Sequence, residues 1–181
     1  LSADIQHKSD IGGVELGVVG ADNAAAAYDR IMAAAAAHAP DARIDGVLVA
    51  PMITGGTELI VGTTTDPIFG PVVMVGLGGI FAEVFRDTAL QPAPVSLEGA
   101  QKMLRSLKCF ALLDGARGRP RADVDAAAQA IVAVSEFAKR HADDVAEIDI
   151  NPLLVRDQGK GAIALDALII PHQTQTSEAA E

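Results

Sequence analysis

Carboxylate and amide side chains alternate with apolar ones in a short stretch towards the C-terminal end of the sequence. In an extended strand, Glu147, Asp149 and Asn151 would share one face, while Ile148 and Ile150 would pack on the other. Carboxylate and amide oxygens are hard ligands, which suit a small, hard cation such as Mg²⁺. The spacing therefore predicts a strand with one apolar face and one face that can contribute metal ligands.

The residues after this stretch predict a hairpin. The sequence Asp-Gln-Gly-Lys at 157–160 suits a four-residue hairpin loop, so Arg156 would pair with Gly161. Counting back from that pair sets Asn151 opposite Asp166, with Cβ atoms about 5 Å apart. The resulting cluster of two carboxylates and one amide oxygen, from Asp149, Asp166 and Asn151, leaves room for phosphate oxygens and water around a Mg²⁺ ion. The alternative is an ordinary solvated strand face that happens to be acidic.

A glycine cluster at 76–79 follows an apolar run that is typical of a strand. Backbone N–H groups in such a cluster can approach phosphates closely. It lacks the Gly-Lys-Ser/Thr ending of a P-loop and the full dinucleotide fingerprint. A glycine cluster without these features is more often a tight turn than a phosphate-binding loop.

Composition limits the possible functions. The chain has 181 residues and a net charge of −10, from 24 acidic and 14 basic residues, so a long basic face for nucleic acid is excluded. This charge remains compatible with nucleotide binding, since a triphosphate needs only a few local donors and a metal ion.

The single cysteine, Cys109, excludes an internal disulfide. No run approaches the about 20 apolar residues of a membrane helix, and the polar start lacks a signal-peptide profile, so we expect a cytoplasmic protein. Because the chain opens at Leu1 without an initiating Met, we interpret it as part of a longer protein.

The predicted elements mix without strict alternation, which favours an α+β fold over a doubly wound parallel sheet. Helices are predicted from Asp22 or Asn23 to Ala37, from Ser96 to Leu107, and from Asp123 to His141. Strands are predicted at 14–19, 46–52, 57–62, 72–75, 145–155 and 162–169.

Several motifs occur in a characteristic order along the chain. Together they resemble the ATP-grasp domain of NDP-forming acyl-CoA synthetases, relatives of succinyl-CoA synthetase β subunits, over about residues 2–170. The motifs are HKSDIGGV at 7–14, ELIVG at 58–62, DPIFGPVVM at 66–74, GLGGI at 76–80, EVFRD at 83–87, DINPL at 149–153 and ALDA at 164–167. The resemblance implies an ATP-grasp fold truncated at its N-terminal side. Residues 1–52 would be the remainder of the first lobe, 53–170 the second lobe and 171–181 a disordered tail.

The resemblance also implies a reaction, in which acid, CoA and ATP give acyl-CoA, ADP and phosphate through an acyl phosphate and a phosphohistidine. The implied cofactors are Mg²⁺ and ATP or ADP. The implied partners are CoA-binding and ligase domains of the same protein or of a partner subunit. The full-length protein is expected to be an oligomer, with no role for nucleic acid or membrane.

Individual roles carry over by position. Asn151 and Asp166 match the Mg²⁺ ligands, and Asp149 matches an acidic residue that faces the metal and the incoming phosphohistidine. His7 matches the histidine of a mobile loop that carries the phosphoryl group between sites. Further positions match nucleotide-binding residues: Ala50 and Met52 in the hinge that meets adenine, Glu58 on the second lobe, Gly78 and Gly79 in the glycine loop, and Arg86, where the family usually has Lys.

The chain departs from the family pattern in three respects, and the first two fit an alternative function. Thr65 and Gln91 stand where the family usually has Arg, and a strand with a phosphate-binding Lys is expected before Leu1. The isolated chain is therefore expected to be inactive. The alternative is a non-catalytic, synthetase-like regulatory module, such as those attached to some protein lysine acetyltransferases.

Overall fold

The computed structural model describes residues 1–5, 8–79 and 87–172, and the chain divides into two compact units, Leu1–Thr54 and Gly55–Glu181. No helix among the described residues is long and apolar enough to cross a membrane. Two site predictions, His7 and Arg86, lie outside the described residues, as does the C-terminal segment from residue 173.

The first unit contains the helix α1 (Ala21–His38), and its high alanine content favours that conformation. The helix forms where the sequence predicts it, but the predicted caps are wrong. Its N-cap is Gly20, which provides no side-chain hydrogen bond. The Asn23 amide instead donates to the backbone oxygen of Val19 at 2.8 Å.

The strands predicted at 14–19 and 46–52 are also wrong, because the described residues of this unit form no strand there. A strand is stable only when a neighbour accepts and donates its backbone hydrogen bonds. Both segments are irregular, and Leu16 and Val49 are 74% and 85% exposed.

The second unit is built on an antiparallel sheet. Its strands are β1 (Thr57–Asp66), β2 (Gly70–Leu77), β3 (Thr88–Pro92), β4 (Val145–Val155), β5 (Ala162–Ala164) and β6 (Ala167–Pro171). The order across the sheet is β3-β2-β1-β4-β5, and β6 also pairs with β4. The single strand predicted at 162–169 is therefore interrupted, although β5 and β6 keep one register along β4.

Two helices, α2 (Leu97–Ser106) and α3 (Val124–Arg140), pack on one face of this sheet. Both begin where the sequence predicts. Ser96 caps α2 by accepting a hydrogen bond from the Gly99 N–H, and Asp123 caps α3 through the Ala126 N–H. The fully buried side chains between sheet and helices include Leu59, Val61, Val73, Val75, Leu104, Leu113, Ile131 and Val155.

An irregularity in β4 decides which side chains face the helices. Leu59 of β1 pairs with Leu153, but Val61 pairs with Ile150, so β4 contains one residue more than β1 at this point. Such an extra residue shifts the alternation of side chains by one position. Ile150 and Leu153 therefore both contribute to the helix side. The opposite face of the sheet, which carries Asp149, is called the open face below.

Candidate functional site

The open face carries the predicted acidic cluster, because the hairpin that contains it has the predicted register. Residues 153–155 pair with 162–164, and Ile150 pairs with Ala167. The antiparallel register is therefore the same on both sides of the interruption between β5 and β6. Across the interruption, the Asn151 N–H donates to the backbone oxygen of Asp166 at 3.2 Å. Asn151 thus lies opposite Asp166, as the sequence predicts.

Asp149 lies next to this pair, between two neighbouring strands. It pairs with Gly62 of β1 on one side and with Leu168 of β6 on the other. Burial raises the pKa of the Asp149 carboxyl group above its usual value, and the negative charge of Asp166 raises it further. Two carboxylates thus share a site without a compensating cation among the described side chains, a situation that a bound cation would relieve.

The donor set fits a metal ion shared with a ligand rather than a metal ion held by the protein alone. Within the described part of the chain, no group of three or more His, Cys, Asp or Glu side chains could hold a metal ion. Two carboxylates and the amide oxygen of Asn151 leave several of the six positions of Mg²⁺ for phosphate oxygens and water. The residues present therefore fit a Mg²⁺–nucleotide complex.

Glu58, the second residue of β1, lies close to the glycine loop that follows β2. The Gly78 N–H donates to the backbone oxygen of Glu58 at 2.8 Å, and a Cβ placed on Gly78 would lie 3.2 Å from the Glu58 carbonyl carbon. Gly79 has φ +64°, and a Cβ there would lie 2.8 Å from Glu58 Oε2. Glycine is therefore required for the loop to approach Glu58 as closely as it does.

The model of the ATP-grasp domain family matches residues 1–170. The chain belongs to the ATP-grasp family. The fold is α+β with an antiparallel sheet, as expected from the sequence, and the resemblance to acyl-CoA synthetases is confirmed by the relatives described next.

Similar proteins include ADP-forming ligases. The chain is 42% identical over 170 residues to the acetate–CoA ligase [ADP-forming] I subunit beta of Pyrococcus furiosus, covering 94% of the chain and 72% of that subunit. It is 41% identical over 163 residues to the acetate–CoA ligase [ADP-forming] I of Archaeoglobus fulgidus, covering 90% of the chain. It spans only 24% of the length of that ligase.

Solved structures give the same result. PH1788 from Pyrococcus horikoshii superposes with a TM-score of 0.89 at 38% identity, covering 94% of this chain and 72% of that one. The acetyl-coenzyme A synthetase 1 of Ca. Korarchaeum cryptofilum, in complex with coenzyme A and Mg-AMPPCP, superposes with a TM-score of 0.82 at 34% identity. Coverage there is 94% of this chain and 73% of the synthetase chain, whose phosphohistidine segment points towards the nucleotide binding site.

The remaining predicted site residues of the ATP-grasp domain lie in the first unit or outside the described residues. Ala50 and Met52 belong to the first unit, where both are exposed in an irregular segment. Met52 has 58% of its surface exposed. His7 and Arg86 are outside the described residues, as noted above, so their roles rest on sequence resemblance.

Two buried or partly buried aspartates were not singled out from the sequence. Asp87 is 8% exposed and accepts hydrogen bonds from the Lys108 and Cys109 N–H groups, both at 2.9 Å. Burial acts to raise the pKa of Asp87, but these hydrogen bonds outweigh it and the net pKa is lowered. Asp123 accepts hydrogen bonds from both its own helix and the hairpin. An aspartate just before a helix predicts the hydrogen bond to its own helix, but it does not predict the hydrogen bonds to the hairpin.

Proposed function

We propose that this ATP-grasp domain is the nucleotide-binding, phosphoryl-transferring part of an acyl-CoA synthetase. The overall reaction would be acid + CoA + ATP ⇌ acyl-CoA + ADP + phosphate. The observation that carries the proposal is the position of Asn151 opposite Asp166, next to an Asp149 whose pKa is raised. The names of the relatives support the reaction class, since they are ADP-forming ligases.

In this proposal, Asn151 and Asp166 hold Mg²⁺ through their side-chain oxygens. The chemistry supplied by Mg²⁺ when bound is neutralisation of charge on the phosphate oxygens and polarisation of the transferred phosphoryl group. Asp149 accepts a hydrogen bond from one N–H of an incoming imidazole, which points the other ring nitrogen at the γ-phosphorus. A nitrogen–phosphorus bond then forms as the bond to the bridging oxygen breaks, and ADP leaves. His7 would provide the imidazole that carries the phosphoryl group onward.

Further residues would bind the nucleotide, as the sequence resemblance implies. The backbone at Ala50 and Met52 would meet the adenine, and the N–H groups of Gly78 and Gly79 would face the phosphates. Glu58, which lies within reach of the glycine loop, would accept hydrogen bonds from hydroxyl groups of the nucleotide. Arg86 would supply positive charge towards the phosphates.

The proposal includes partners, because the relatives are β subunits or much longer ligases. CoA-binding and ligase domains, either in the same protein or in a partner subunit, would bind the acid and CoA and carry the other phosphohistidine. We propose that the complete protein is a cytoplasmic oligomer. The alternative remains a regulatory module without catalysis.

The positions of Thr65 and Gln91 favour the catalytic proposal. Thr65 continues the alternation of Leu59, Val61 and Thr63 on the helix side of the sheet, where its hydroxyl donates to the Ala146 backbone oxygen at 3.4 Å. Gln91 pairs with the buried Val73, and its amide lies against Gly99 of α2. The absence of arginine at these two positions therefore affects the helix side of the sheet, opposite to the open face that carries the acidic cluster.

Removal of either proposed metal ligand tests the function. In a titration of the complete protein with Mn²⁺ and ATP followed by electron paramagnetic resonance, Asn151→Ala and Asp166→Ala should each weaken Mn²⁺ binding at least about tenfold, because each removes one of few protein ligands. Glu147→Gln is the control, since Glu147 lies on the same strand and face but pairs with Ile170. Its affinity should stay within about twofold of the wild type. In the complete enzyme, both ligand variants should lose ATP formation from ADP, phosphate and acyl-CoA. Unchanged Mn²⁺ affinity in both would remove the metal site from the proposal.

A further inference from the structure

The loop between β4 and β5 is fastened to the start of α3 by one side chain. Asp123 Oδ2 accepts hydrogen bonds from the Gly159 and Gly161 N–H groups, both at 2.9 Å. Its other oxygen, Oδ1, accepts from the Ala126 N–H at 3.2 Å in the first turn of the helix. One carboxylate therefore joins the hairpin loop to a helix that is packed in the core.

Backbone contacts surround this junction. The Asp123 N–H donates to the Arg156 oxygen and the Gln158 N–H to the Arg121 oxygen, both at 2.8 Å, and Ala122 forms a bridge with Asp157. The loop is thus held on both of its sides. The carboxylate contributes hydrogen bonds that no backbone group replaces, and charged acceptors form the stronger bonds.

The loop sets the register of the hairpin. Gly159 and Gly161 both have positive φ, +80° and +81°, and their N–H groups point at the same carboxylate oxygen. In a hairpin, the loop conformation fixes which residues pair, and a slip by one position exchanges the two faces of the strand. The pair of Asn151 and Asp166 depends on that register.

We infer that Asp123 is a positioning residue that keeps Asn151 opposite Asp166. Arg156 is five positions along the chain from Asn151, a distance of about 17 Å along a strand, so Asp123 acts on the acidic cluster only through the hairpin. The consequence for Mg²⁺ rests on the proposed function, whereas the consequence for the hairpin does not. The lowered pKa of Asp123, caused first by the Gly161 N–H and then by the Ala126 and Gly159 N–H groups, agrees with a carboxylate that is ionised when it holds the loop.

The test compares Asp123→Asn with Asp66→Asn in the full 181-residue chain. Asp66 is a matched control because it also accepts two backbone N–H bonds in a hairpin turn, from Ile68 and Phe69, but in the β1–β2 hairpin. An asparagine at 123 can still cap α3, but its NH₂ group cannot accept from the two loop glycines.

Hydrogen exchange of the Asn151 amide is the first readout, because that amide donates to Asp166. Asp123→Asn should accelerate this exchange at least about tenfold at equal global stability, while Asp66→Asn should leave it unchanged. In the complete protein, Mn²⁺ affinity in the presence of ATP should fall about tenfold in Asp123→Asn only. If Asp123→Asn does not fold, Gly159→Ala keeps the helix cap and strains the loop at φ +80°, with no atom within 4 Å of the new Cβ. It should show the same pattern.

Unchanged exchange at Asn151 in a folded Asp123→Asn or Gly159→Ala variant would overturn the inference, and so would equal acceleration in Asp66→Asn. Faster exchange with unchanged Mn²⁺ affinity would overturn the link to the metal site. A complete wild-type protein that binds no Mn²⁺ with ATP would count against the proposed function, and the exchange comparison in the 181-residue chain would still decide the role of Asp123.

Discussion

Replacement of Asp149 by asparagine should stabilise the metal-free chain at neutral pH while it weakens the proposed site. Burial and the charge of Asp166 both disfavour ionised Asp149 in the folded state. Asparagine has nearly the same size and keeps one side-chain oxygen but carries no charge, so the repulsion disappears. Gain of stability together with weaker ligand binding is the pattern expected of a residue kept for function.

The magnitude follows from the register. Asp149 pairs with Leu168, so Asp166 is its diagonal neighbour on the adjacent strand, about 7 Å away at Cβ. Two unit charges at about 7 Å repel by about 0.6 kcal/mol in bulk water and about 2.4 kcal/mol at an effective dielectric constant near 20. Because Asp166 is exposed to water, we expect about 1 kcal/mol for the gain in free energy of unfolding.

The gain should depend on pH with a definite sign. The folded-state pKa of Asp149 is raised, so its ionisation destabilises the fold above that pKa. The difference between Asp149→Asn and the wild type should therefore be complete at pH 7 and decrease as pH falls through the folded-state pKa. It should vanish below the unfolded-state value, about 3.9 for aspartate.

Urea unfolding with EDTA measures this difference, and Glu147→Gln is the control for loss of one negative charge from a chain of net charge −10. Glu147 lies on the same strand and face but pairs with Ile170, so its replacement should change stability by less than about 0.5 kcal/mol. Equal stabilisation by both variants would attribute the effect to net charge. A less stable Asp149→Asn variant at pH 7 would refute the electrostatic argument itself. In the complete protein, addition of Mg²⁺ and ATP should stabilise the wild type more than Asp149→Asn, because the variant has one negative charge fewer facing the metal ion.

Two further variants test the buried carboxylate of Asp87 and the close approach of the glycine loop to Glu58. Asp87→Ala should lower the free energy of unfolding by about 2–4 kcal/mol at pH 7, because the Lys108 and Cys109 N–H groups lose a charged, buried acceptor. Urea unfolding measures the loss, and a change below about 1 kcal/mol would show that water replaces the carboxylate. Gly79→Ala should cost about 1 kcal/mol through its positive φ and should displace the Glu58 carboxylate, detectable in the amide spectrum of residues 57–59. An unshifted spectrum would contradict the close approach.

The hairpin that carries the acidic cluster was predictable because local information determines it. The loop at 157–160 defines the pair of Arg156 and Gly161, and alternation then places Asn151 and Asp166. Helices α2 and α3 were predictable for a similar reason, since their caps and apolar spacing lie within a few residues.

Other features were not predictable because they depend on distant parts of the chain. The runs at 14–19 and 46–52 have strand-like composition, but in the described part of the first unit no strand pairs with them. The hydrogen bonds of Asp87 to residues 108 and 109, and of Asp123 to residues 159 and 161, cross 21 to 38 positions. No periodicity in a sequence reports such contacts. The extra residue of β4 is also hidden, because only the pairing with β1 reveals it.

That extra residue makes the length of β4 as important as its composition. Deletion of one residue between Ile150 and Leu153 would remove the extra residue, so side chains would alternate along β4 without a shift. Either Asp149 would then turn towards α3 or Val155 would turn towards solvent. Substitutions, in contrast, change the open face one side chain at a time without touching the core. We therefore expect this segment to vary among natural sequences by replacement and not by insertion or deletion. Catalytic chemistry could then be lost or altered in evolution while the fold persists.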